Sequence, residues 1–160
     1  MENVNGVGKY LLFLSCGRKF AVAFQDIKSI IVAGGLYKIP EFPYYFAGAC
    51  TTDGKTVPVI DSRLRFGFPV GEITDRSCII IAYAHGENGG QFEVGILTDT
   101  ISIMTDVPDG DIQPCDPLSK EAYTRYLKGV FIRDGEPCYI VSPDLMINDG
   151  DRKSAEEVYG

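Results

Sequence analysis

Histidine, cysteine and clustered carboxylates are the side chains in this sequence that could do chemistry. There is one histidine, His85, in a loop-like stretch (residues 85–90) with Gly86, Gly89 and Gly90. A Ser–His–Asp or Cys–His nucleophile needs that imidazole aligned with a hydroxyl or thiol, and nothing near it in the chain suggests one. The five cysteines, Cys16, Cys50, Cys78, Cys115 and Cys138, are odd in number, widely spaced and without a CxxC pair, so neither zinc nor dithiol redox chemistry is indicated. An enzyme built on one of them would need an exposed, acidified thiol beside His85. Asp106, Asp109 and Asp111 lack the spacing and closing glutamate of a calcium loop, and read as a solvated acidic loop. No GxGxxG or GxxxxGK[ST] occurs, so no nucleotide site is indicated. The expectation is a protein without catalytic residues, metal or cofactor.

What remains is surface geometry. Apolar residues at exposed edges mark partner binding, and Ile27, Ile30 and Ile31, read on a short turn after Asp26, are candidates. The edge created by Pro58 is another, because proline cannot donate to a strand ladder.

The element that positions these residues is the stretch 48–64, GACTTDGKTVPVIDSRL. It reads as strand, Asp53–Gly54 turn, strand, then a helix over residues 62–66 capped by Asp61. Shifted by 81 positions, residues 129–145, GVFIRDGEPCYIVSPDL, align with it without a gap. Gly48 falls on Gly129, Asp53 on Asp134, Gly54 on Gly135, Val59 on Ile140, Asp61 on Ser142 and Leu64 on Leu145. An internal duplication of one supersecondary unit is the reading.

The opening hairpin has an echo too. Residues 10–14 and 19–24 form one hairpin, with Phe20, Val22 and Phe24 on one face. Residues 76–84 and 91–97 form the other, with Phe92, Val94 and Ile96 repeating that spacing. The run CIIIAYA reads as a strand buried on both faces. Each half thus reads hairpin, Asp-capped turn, connecting chain, glycine hairpin, short helix. The expected architecture is all-β: two similar lobes of short antiparallel strands, each a small barrel that removes its sheet edges.

Composition bounds the rest. With 160 residues, 45% of them hydrophobic, the chain is long enough for one domain or two small lobes sharing a core. The net charge of −7 argues against nucleic acid and anionic membrane surfaces. No apolar run is long enough to span a bilayer and no signal peptide is visible, so no membrane insertion and a cytoplasmic location with reduced thiols are expected. Residues 1–8 and 149–160 read as flexible or weakly structured termini around a single domain, 9–148, the charged stretch 149–159 as a short helix or a flexible tail.

YLLFLSCGRKFAVAFQDIKSI, then a proline-containing loop, then GACTTDGKTVPVIDSRLRFG resembles the CheW-like coupling domains of bacterial chemotaxis. The resemblance covers about residues 10–145, and Gly54…Val57-Pro58-Val59-Ile60-Asp61 is its most specific part. It implies two SH3-like, five-stranded β-barrel lobes with short helices. It also implies a non-catalytic adaptor between the cytoplasmic tip of a chemoreceptor and the regulatory domain of the histidine kinase CheA. By position, Ile27, Ser29, Ile30 and Ile31 match the kinase-facing surface, and Asp53, Thr56 and Val57 the receptor-facing groove. The family usually carries Arg-Gly where this chain has Asp53-Gly54. That swap removes a five-donor fork and inverts the local charge, so an acidic receptor tip would be repelled there. Ser29 likewise stands where an acidic residue is expected. The alternative implied is a divergent module of this fold that binds the kinase, or another signalling protein, without ordinary receptor coupling.

Overall fold

The computed structural model describes residues 8–69 and 71–160; the expectation for residues 1–7 lies outside them. Ten strands form two five-stranded sheets: β1 (Lys9–Ser15), β2 (Arg18–Ala23), β3 (Ile27–Val32), β4 (Phe46–Thr52), β5 (Lys55–Asp61), β6 (Cys78–His85), β7 (Gln91–Thr98), β8 (Thr100–Asp106), β9 (Leu127–Arg133) and β10 (Glu136–Val141). Two α-helices join them, α1 (Ser62–Arg65) and α2 (Asp149–Val158). Among the described residues no helix is long and apolar enough to cross a membrane.

Local chemistry explains the turns. Asp53 and Gly54 have φ of 52° and 74°, and Asp134 and Gly135 have 52° and 78°, the left-handed pair that a two-residue hairpin turn requires. Cys16 and Gly17 do the same between β1 and β2, at 51° and 76°. Asp61 caps α1 by accepting from the Arg63 N–H at 3.0 Å, and Ser142 Oγ, its counterpart, accepts from the Leu145 N–H at 3.3 Å.

The sheet orders are β8-β1-β2-β10-β9 and β3-β6-β7-β5-β4. Advancing every strand of one by half a chain reproduces the other, so the duplication extends to all ten strands. The lobes are nevertheless not the halves of the sequence. Each half gives its opening hairpin to one sheet and three strands to the other. The two halves meet through antiparallel pairs, β1 with β8 and β3 with β6, and also through parallel pairs, β5 with β7 and β2 with β10, where only antiparallel strands were expected. The sheets are also open rather than closed barrels, because β8, β9, β3 and β4 each end a sheet.

The central core lies between the sheets, with Phe13, Phe20 and Val22 from one facing Ile60, Ile80, Val94 and Ile96 from the other. Each sheet has a smaller cluster on its far face: Leu12, Ala21, Phe131, Cys138 and Ile140 under one, Cys50, Val57, Val59, Ile79, Ile81 and Leu97 under the other. β6 feeds the central and second clusters through alternate residues, and so is buried on both faces as its apolar run predicts. The guanidinium of Arg65 lies between the counterpart rings of Tyr45 and Tyr126, 3.8 and 4.4 Å from their centroids. Its Nε donates to the Met146 carbonyl at 2.6 Å, tying the two repeats together.

Three local expectations are corrected. Phe24 leaves the β2 face, opens a 3-10 turn (Phe24–Asp26) and is 44% exposed. Ile27 and Ile30 ride on β3, not on a helical turn. Of the readings of residues 149–160 the short helix holds and the flexible tail does not: α2 buries Ala155 in the central core, and Asp151 accepts from the Tyr45 hydroxyl at 2.7 Å.

Candidate functional site: a strand edge and an adjoining groove

β3 pairs with β6 alone, so its other edge offers unpaired backbone groups. A register shift between Ile27 and Ser29 alters the alternation there. Ile27 packs toward the central core and Ile31 toward the cluster under its own sheet, while Ile30 is 41% and Val32 71% exposed. Ile27, Ser29, Ile30 and Ile31 are therefore brought onto one strand, but only Ile30 of the isoleucines turns its side chain largely outward. Val32, which sequence reasoning passed over, is the more exposed apolar group.

The β4–β5 turn lies beside this edge. The Asp53 side chain is 70% exposed and its carboxylate is 3.6 Å from Lys28 Nζ, on β3. Lys28 also pairs with Glu93 on β7 at 2.9 Å, so one lysine links the two surfaces. Thr56 exchanges two backbone hydrogen bonds with Gly160, both 3.1 Å. Val57 is fully buried; of the three residues matched to a receptor groove, it presents no side chain to a partner.

Three groups escaped sequence reasoning: Lys28, Glu93 and Tyr159. The Tyr159 hydroxyl donates to Glu93 Oε2 at 2.8 Å and accepts from Lys55 Nζ at 3.0 Å. Its ring stands 6.3 Å from that of Phe92. Burial alone would raise the pKa of Glu93, yet the bonds from Lys28 and Tyr159, with the charges of Lys28 and Lys55, hold it below the ordinary glutamate value. Its Oε1 is buried and has no partner. The available signal was a single carboxylate inside the apolar run FEVGIL, on the face shared with Gly95 and Leu97.

The reactive residues do other work. His85 ends β6, and its Nδ1 lies 2.8 Å from Asp144 Oδ2. Arg152 of α2 donates to the His85 carbonyl at 2.8 Å and reaches Asp144 Oδ1 at 3.3 Å, so this cluster anchors the helix. Burial pushes the Cys16, Cys50, Cys115 and Cys138 thiols up, away from the thiolate a nucleophile needs. Among the described residues no group of three or more His, Cys, Asp or Glu could hold a metal ion. The buried Arg63–Asp61 pair, bonded twice at 3.0 Å, is structural: it fixes α1 against β5 with a bidentate fork.

The family model described as "CheW-like domain" matches residues 9–151. A "Chemotaxis protein CheW" of Rhizobium meliloti is 26% identical over 94% of both chains. Another protein of that name, from Bacillus subtilis, is 31% identical over 66% of this chain and 64% of its own. In structure the chain resembles the scaffolding protein TtCheW from Thermoanaerobacter tengcongensis, with a TM-score of 0.78, 23% identity, and 89% and 94% of the two chains covered.

Proposed function

Since this chain belongs to the CheW-like domain family and is a chemotaxis scaffold of that kind, we propose that it couples a chemoreceptor to the kinase CheA through two adjoining surfaces, without catalysis. The free edge of β3, led by Ile30 with Ile27, Ser29 and Ile31 around it, receives the regulatory domain of the kinase. The groove beside Asp53 and Thr56, with Val57 buried beneath it, receives the cytoplasmic tip of the receptor. Both partners offer these parts in the cytoplasm, which is where this reading puts the chain. In the same reading each open sheet, curled over its own small cluster, is an SH3-like barrel with an unclosed seam.

The observation that carries this is the Lys28 bridge: an unpaired apolar strand edge and the exposed Asp53 turn lie side by side, joined by one lysine at 2.9 Å from Glu93 and 3.6 Å from Asp53. Pull-down with the purified kinase regulatory domain and a receptor-tip fragment tests it. Ile30→Asp should lower kinase capture by at least tenfold, the loss expected for charging an interface centre, while receptor capture persists. Undiminished kinase capture would remove β3 from the assignment. Asp53 favours a second reading, in which the kinase is held and the receptor is not; capture of kinase alone by the unaltered chain selects it.

A further inference from the structure

α2 is anchored at its start and middle. Arg152 binds the Asp144 and Ile147 carbonyls at 2.8 and 3.2 Å, and Ala155 is fully buried. Beyond it the chain crosses to β5 and ends its contacts with Tyr159 and Gly160, on the strand that bears Thr56. These two residues fill a slot that the fold leaves open. β5 pairs with β7 only from Val59 onward, and Pro58 has no N–H to extend that ladder. Thr56, which directs its backbone groups the same way as Pro58, would otherwise have neither group paired on that side. Gly160 supplies both bonds, and the Tyr159 hydroxyl stands between Lys55 and Glu93.

In the second repeat, among the described residues, no segment pairs at the corresponding position. Pro137 stands at the position of Thr56, and Lys19 and Glu136, at the positions of Glu93 and Lys55, pair directly at 3.3 Å. The first slot is thus built to take an inserted segment, and its present occupant fits incompletely, because Glu93 Oε1 keeps no donor.

We propose that Tyr159 and Gly160 are a displaceable occupant, in cis, of the receptor-facing groove. A receptor segment enters only by removing them, pairing with Thr56 along its backbone and donating a hydrogen bond to Glu93. This rests on the receptor-facing assignment made above.

The test uses the full chain, unaltered and as Tyr159→Ala, with two readouts: amide exchange at Thr56 and affinity for a receptor-tip fragment. The expected result is faster exchange at Thr56 and about tenfold tighter binding in Tyr159→Ala, since removing the competing state raises the competent fraction. A synthetic peptide of residues 154–160 should slow Thr56 exchange again in that variant and compete with the fragment. Equal affinities of the two chains, or unchanged exchange at Thr56, would overturn the proposal while leaving receptor binding in place. Binding of the fragment to neither chain would instead remove the receptor-facing assignment, and the proposal with it.

Discussion

The two copies of the strand–turn–strand–helix unit share a backbone plan and differ in what covers them. Around the first copy, β5 carries Thr56 and is roofed by Tyr159 and Gly160. Around the second, β10 carries Pro137, takes no added strand among the described residues, and borders an apolar cleft of about 350 Å³ lined by residues such as Tyr123, Leu127, Ile132 and Tyr139. Burial, followed by the Tyr139 hydrogen bond, pushes the Tyr123 hydroxyl up to about 12, so that phenol stays neutral at any physiological pH. Duplication explains the scaffold; substitution at equivalent positions explains why one groove is polar and filled and the other apolar and open.

That contrast can be broken hardest at its paired glycines. Gly48 has φ of 141°, and a Cβ there would overlap the Tyr37 carbonyl. A Cβ on Gly129 would stand 2.8 Å from Ile112 Cγ2 and 3.0 Å from the Gln113 carbonyl. Each glycine lets a neighbouring segment bridge to the next residue, Tyr37 to Ala49 and Gln113 to Val130. Gly48→Ala should cost about 3 kcal/mol or more in urea unfolding, because backbone cannot yield. Gly129→Ala should cost about 1–2 kcal/mol, because part of its clash is a side chain. Equal losses would show the two bridges to be energetically alike.

Exchanging the residues that differ should exchange the behaviour. Thr56→Pro removes the donor to Gly160 and is expected to cost about 1–2 kcal/mol, with loss of exchange protection at Gly160. Pro137→Thr should change stability by no more than about 0.5 kcal/mol, since no segment waits to pair with it.

These contrasts mark what was legible in the sequence. The Asp-Gly turns and the Asp61 cap were, because each is decided within four residues by φ preference and one hydrogen bond. The both-faces-buried strand around CIIIAYA was too. The crossing of the halves was not, since nothing local says which hairpin a strand will join. Asp26-Ile27-Lys28 fits a turn or a strand start equally, and only pairing with β6 decides it. Docking of residues 149–160 escaped because a charged helix signals little when few residues face inward, here Ala155 with Tyr159 beyond it. Glu93 was visible as an oddity; that a tyrosine 66 positions away would answer it was not. Matched positions named Asp53, Thr56 and Val57 together, but could not say that Val57 is fully buried.

Acid should act on the first copy through Glu93. Its folded pKa is depressed, so folding favours the ionised carboxylate. The stabilisation is complete above the ordinary glutamate value of about 4.3 and is lost as pH falls through the lower folded value. Tyrosine fluorescence or Thr56 exchange followed through that window should show the Tyr159 contact loosening, and Glu93→Gln should flatten the response. A response unchanged in Glu93→Gln would assign the acid step to another group.

A small effect on stability is expected at Asp53. Its pair with Lys28 is exposed, worth about 0.2–1 kcal/mol at most, and Asp53→Asn should fall within that range in the same urea assay. On binding, Asp53→Arg should strengthen capture of an acidic receptor tip several-fold; unchanged capture would remove charge inversion as the reason for weak coupling.

The crossed strand exchange has a consequence for synthesis. In the sheet begun by β1 and β2, β1 waits for β8 from the second half of the sequence and β2 waits longer still for β10, where Tyr139 lies opposite Phe20, so this hairpin has no strand neighbour while only the first half has been made. Neither half can mature alone, and contacts so distant in sequence place this chain among slow folders. A truncated nascent product would therefore expose bare strand edges, and every completed molecule must pass through that vulnerable interval before both sheets assemble together.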